Sequence, residues 1–109
     1  MATLNPKQRQ YLKGLAHSLK PIFQIGKDGV TGGLLRSIES SFNSRELLKV
    51  KALDAAPESA DESAEIIATS LEGVEVVQVI GKTIVLYRPH PEKPEIKQPG
   101  EGTGGRAAV

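Results

Sequence analysis

The chain has no cysteine and no tryptophan, 4% aromatic residues, and two histidines among its 109 residues. Without cysteine there is no disulfide framework, no thiolate metal site and no thiol nucleophile. Two imidazoles make a thin set of metal ligands, and no Ser-His-Asp pattern, paired-carboxylate cleft or GxxxxGK[ST] phosphate loop is readable. No apolar run approaches membrane-spanning length, and the start, MATLNPKQRQ, lacks the apolar core of a secretory signal. The length allows one small domain, too small for a deep enzyme cleft. These absences lead to the expectation of a soluble, cytoplasmic, monomeric protein that is not an enzyme and holds no metal or other cofactor.

Charge is present, and it is segregated. The net value of +1 combines three unlike stretches. Residues 1–53 carry nine Lys or Arg against three acids; residues 54–77 carry seven acids and no Lys or Arg. Residues 78–109 carry five bases and three acids. A fold that keeps the first two stretches apart has one positive and one negative face.

Apolar periodicity divides the chain into seven elements ordered α-β-α-β-α-β-β. Asn5-Pro6 is a helix start, with Asn as cap and Pro in the first turn. Leu4, Tyr11, Leu12, Leu15 and Leu19 then form the expected core stripe. Arg9, Lys13 and His17, with Lys20 close by, form a separate basic stripe. Pro21 ends this helix and Ile22 to Ile25 forms a short strand. Thr31 caps a second helix reaching about Asn43, with Leu34, Leu35, Ile38 and Phe42 inward. Glu46 to Leu53 is a strand with Leu48, Val50 and Ala52 on one face and Lys49 and Lys51 on the other. A third helix is expected over 57–71, with Pro57 at its start and Gly73 at its C-terminal cap. Val74 to Ile80 and Thr83 to Arg88 form a hairpin through Gly81-Lys82, a type II′ signature. Apolar residues on both faces of these two strands suggest central positions. The expected fold is α+β, an α/β sandwich whose four-stranded mixed sheet is covered by helices, over residues 1–88. Residues 89–109, which include His90, read as a Pro- and Gly-rich disordered tail.

The candidate site is the loop Gly26-Lys27-Asp28-Gly29, between a strand and a helix start. Paired glycines allow close backbone approach, helix-start amides favour anions, and Lys27 adds a cation. With basic residues crowded in the same half, nucleic-acid phosphate is the anion implied. Arg9, Lys13, His17, Lys20, Lys49 and Lys51 are the further candidate contacts. No exposed aromatic pair of the kind that stacks bases is evident, so recognition is expected to rest on backbone and shape.

The stretches LNPKQRQYLKGLAHSLKPIFQIGKDGVTGGLL, SRELLKVK and VVQVIGKTIVLYR resemble, in order and spacing, the CRM domain (chloroplast RNA splicing and ribosome maturation) in its single-domain bacterial YhbY-like form. The resemblance covers residues 4–88. It implies a fold similar to the C-terminal domain of translation initiation factor three, and RNA binding through Gly26, Lys27 and Gly29. It further implies association with ribosomal RNA and precursors of the large ribosomal subunit. The turn Thr31-Gly32-Gly33 departs from the pattern, having a second glycine where relatives often carry a larger or acidic residue. The alternative reading is a protein-interaction module, in which the acidic helix over 57–71 binds a basic partner such as a ribosomal protein.

Overall fold

The computed structural model describes residues 4–89. Helix α1 (Pro6–Ala16) starts where its chemistry dictates. The Gln8 amide donates to the Asn5 side chain at 2.7 Å, and the Asn5 amide donates to the Gln8 side chain at 3.0 Å. This capping box satisfies two amides that a helix start otherwise leaves to water. There follow β1 (Phe23–Ile25), α2 (Gly32–Ser41), β2 (Leu47–Ala52), α3 (Ala60–Ser70), β3 (Glu75–Ile80) and β4 (Thr83–Tyr87). The element order is the expected one, and the four strands form one mixed sheet in the order β1-β2-β4-β3. Strands β1 and β2 are parallel neighbours, and β4 pairs antiparallel with both β2 and β3. The fold is therefore α+β, with helices on both faces of the sheet.

Strand alternation decides what each face buries. Leu48, Val50 and Ala52 of β2, with Ile84 and Leu86 of β4, pack beneath α2 and α3 in a cluster with Ile38, Phe42, Ala64 and Ile67. The opposite face buries Leu47, Val77, Val85 and Tyr87 against Leu12 and Ala16 of α1. Each fully buried large aliphatic side chain contributes roughly 1.5–3 kcal/mol. The β3–β4 turn has Gly81 at φ 58, and no described residue other than glycine has positive φ. Lys82 thus keeps the negative φ of a type II′ turn, as its position predicts.

Three expectations need correction. The core stripe of α1 is narrower than its leucines suggest: Leu12 and Ala16 are buried, whereas Tyr11 is 40%, Leu15 38% and Leu19 36% exposed. The helix rests on the sheet through the arc centred on Leu12 and Ala16. Tyr11 and Leu15 fall on its flank, and Leu19 lies past the last turn. Second, α3 starts at Ala60 with Ser59 as cap, so Pro57 belongs to the preceding loop. The Ser59 side chain accepts from the Glu62 amide, and the Glu62 carboxylate accepts from the Ser59 amide, a second capping box. Third, β3 is an edge strand. It reads as central because α3 packs near one face and α1 near the other. The tail expected to be disordered, with His90, lies outside the described residues except for Pro89.

Two substitutions test this packing. Gly14 sits inside α1 with nothing within 4 Å of an added Cβ. Gly14→Ala is therefore expected to stabilise the fold by about 0.5–1 kcal/mol in urea unfolding. Ser63 is fully buried in α3 and its hydroxyl has no hydrogen-bond partner among the described residues. Ser63→Ala should be neutral or up to about 1 kcal/mol stabilising in the same assay; a loss of stability would mean that the hydroxyl is satisfied in solution.

Candidate nucleic-acid interface

The loop at 26–29 leaves the sheet at the C-terminal end of β1 and closes as a tight turn, the Gly29 amide donating to the Gly26 carbonyl at 3.0 Å. Its two glycines are there for different reasons. Gly29 has φ 72, and a Cβ on it would lie 2.9 Å from a Glu58 carboxylate oxygen and 3.2 Å from the Pro57 ring. The backbone demands glycine at that position, and a Cβ would in addition make Glu58 swing aside and Pro57 give slightly. Gly26 has no positive φ, and an added Cβ would meet nothing within 4 Å. Among the described residues nothing requires glycine at 26. A bare backbone there keeps one side of the loop open to a close-approaching ligand, while Lys27 and Asp28 stand exposed at the tip.

Helix α2 starts immediately beyond. Thr31 caps it, its hydroxyl accepting from the Leu34 amide at 3.1 Å. The amides of Gly32 and Gly33, at the first two helical positions, have no intrahelical acceptor and point out of the positive end of the helix. Arg36 folds back over this turn, with one guanidinium nitrogen 3.5 Å from where a Gly32 Cβ would be and the other 4.0 Å from that of Gly33. Two glycines thus give Arg36 room to lie beside open helix-start amides. The sequence reading omitted Arg36; its spacing of four from Gly32 is the signal that marks it.

The remaining candidates divide by environment. Arg9 is half-buried, and one of its guanidinium nitrogens donates to the Val76 and Val77 carbonyls at 2.6 and 2.8 Å. It fastens α1 to the edge strand where the β3–β4 register shifts between Val76 and Gln78. A bulge leaves ladder groups unpaired, and Arg9 supplies a donor to them. Lys49 is also engaged, its ammonium donating to the Leu19 carbonyl at 2.9 Å. His17, Lys20 and Lys51 are exposed and Lys13 half-buried. Among the described residues none of these four side chains has a hydrogen-bonding or ionic partner. Lys82, at the hairpin tip, pairs with Asp54.

Acidic residues are distributed differently from the simplest reading of their sequence block. The exposed acids Asp61, Glu62 and Glu65 belong to α3, on the sheet face opposite α1. Asp61 and Glu62 occupy the first turn, where the helix dipole favours them, and Glu62 is half of a capping box. Glu58, however, stands beside Gly29. Parallel pairing of β1 and β2 delivers the 53–58 segment to the end of the sheet that bears the glycine loop. Glu58 thereby sets a carboxylate on the Gly29 side of the loop.

The CRS1 / YhbY (CRM) domain family model matches residues 4–88. The chain belongs to the CRM-domain family. It is 44% identical over 92 residues to a Haemophilus influenzae protein named an RNA-binding protein, the match covering 84% of this chain and 92% of that protein. It is 38% identical over 96 residues to Bacillus subtilis YqeI, named a probable RNA-binding protein, across 88% of this chain and 99% of the relative. The fold is similar to that of the Staphylococcus aureus protein SAV1595, whose solution structure matches with a TM-score of 0.74 and 41% identity. That match covers 89% of this chain and all of the other. No helix among the described residues is long and apolar enough to cross a membrane.

The two loop glycines predict opposite phenotypes. Gly29→Ala forces an unfavourable φ, and should lower stability by about 1–3 kcal/mol. Gly26→Ala should melt as the parent does. Arg9→Ala, which leaves two strand carbonyls without their charged donor, should cost about 1.5–3 kcal/mol of stability in urea unfolding. An Arg9 variant of parental stability would contradict its structural assignment.

Proposed function

We propose that this chain is a non-catalytic RNA-binding protein that grips phosphates at the junction of the 26–29 loop and the α2 N-terminus. Gly26 carries the reading: it is a glycine that the fold does not need, on a loop that adjoins open helix-start amides. Lys27 and Arg36 supply charge-assisted contacts there, and Arg36 offers the planar fork suited to phosphate oxygens. Lys13, His17, Lys20 and Lys51 extend the positive surface. Arg9 and Lys49 support it by holding α1 and the α1–β1 linker in place. The family and the names of the relatives support RNA as the partner.

Within that reading, the ligand is ribosomal RNA in precursors of the large subunit, and the protein serves as a chaperone or placeholder during assembly. Phosphate contacts made by a few fixed cations suit a folded RNA that is held and then released. The second reading, a basic protein on acidic α3, has weaker support. The helix dipole and capping box already account for Asp61 and Glu62.

Binding to a structured ribosomal-RNA fragment across a salt titration tests this reading, with the parent beside Lys27→Ala/Arg36→Ala. The parent affinity should fall steeply with salt. The variant should bind more weakly with a shallower slope, because fewer counterions are released. Identical titrations for the two proteins would move the phosphate site away from the loop.

A further inference from the structure

Helix α1 covers only part of its side of the sheet. Leu47, Val77, Val85 and Tyr87 are buried beneath it. Toward the glycine loop nothing among the described residues covers the same face. Register places Gln24, Lys51, Thr83 and Ile80 in one row across all four strands. The row lies opposite the face that buries Val50, Ala52 and Ile84. Ile22, whose amide donates to the Lys49 carbonyl at 3.1 Å, extends the β1–β2 pairing by one residue, and strand alternation puts it on this side too. Ile80 is 56% and Ile22 43% exposed, and Gln24 and Lys51 are exposed between them.

We propose that this open sheet face receives the bases of unpaired nucleotides whose phosphates are held at the adjoining 26–29 loop. The inference rests on the RNA-binding reading above and adds to it the kind of RNA preferred. The charge of the surface selects the occupant. The row carries Lys51 and no carboxylate, and Asp54, just past the end of β2, is paired with Lys82. A second copy of this chain would bring lysine against lysine. A nucleotide strand brings phosphates to Lys51 and to Lys27 of the adjoining loop, and apolar base faces to the isoleucines. Gln24 and Thr83 offer hydrogen bonds to base edges. Strand β1 runs directly from this face into the loop, so one strand of RNA can occupy both. Duplex RNA keeps its bases stacked inside and can use only the phosphate site.

The test compares an oligouridylate with a blunt RNA duplex of equal length, for the parent, Ile22→Thr/Ile80→Thr and Gln24→Glu. Threonine keeps the strand preference, and all three positions are exposed, so the fold should persist; thermal melting checks this. The parent should prefer the single strand. The isoleucine variant should lose about tenfold of that affinity with its salt slope unchanged, and should bind duplex as the parent does. Gln24→Glu, which places a carboxylate in the row, should also weaken single-strand binding. Parental single-strand affinity in both variants, or a parent preference for duplex, would overturn the inference and leave the phosphate site standing. A change in sedimenting mass with RNA binding unaltered would overturn it in favour of a second copy on this face. A parent that binds neither RNA would remove the proposed function as well.

Discussion

The parallel pairing of β1 with β2 is the constraint on which the candidate site depends. Strand β1 is three residues long, registered as Phe23 on Val50, Gln24 on Lys51 and Ile25 on Ala52. Bonds from the Ile22 amide to the Lys49 carbonyl and from the Leu53 amide to the Ile25 carbonyl extend the pairing at each end. Because the two strands run the same way, the loops that leave them emerge together. The glycine loop and the segment carrying Pro57 and Glu58 are thereby brought into contact. Antiparallel β4 places the β3–β4 turn at this end as well, where the Ala52 amide donates to the Lys82 carbonyl at 2.8 Å. The pairings that β2 makes with β1 and β4 thus assemble three loops and a helix start at one end of the sheet.

Much of this architecture was legible because local chemistry and global fold agree. Asn5-Pro6, Thr31 and Gly81-Lys82 act as their types predict, and alternation in β2 correctly separates Leu48, Val50 and Ala52 from Lys49 and Lys51. The stripe on α1 was misread because apolar identity alone does not say how wide a supporting surface is. The sheet offers this helix a narrow seat, which Leu12 and Ala16 fill. Strand β3 was misplaced for a related reason: being covered on both faces leaves the same apolar pattern whether or not a strand has two neighbours.

The site was legible as a loop but not as a set of side chains. Spacing along α1 groups Arg9 with Lys13 and His17, yet Arg9 reaches two strand carbonyls that come from the other end of the chain. Such a partner is invisible without the fold. Arg36 was overlooked for the complementary reason: its significance comes from the missing side chains of Gly32 and Gly33, which leave space for it. The charge blocks fared similarly. Placement of α1 and α3 on opposite faces separates Lys7, Arg9 and Lys13 from Asp61, Glu62 and Glu65, as the sequence suggested, while Glu58 is carried to the loop by chain direction alone.

The central claim is that RNA enters on the Gly26 side of the loop, against the α2 N-terminus. Backbone amide shifts followed by NMR, as a structured ribosomal-RNA fragment is added, test it most directly. The account predicts that the amides of Gly26, Lys27, Gly32 and Gly33 move first and furthest, while those of Asp61, Glu62 and Glu65 in α3 stay in place. Leading shifts in α3, with the loop and α2 start unmoved, would contradict it.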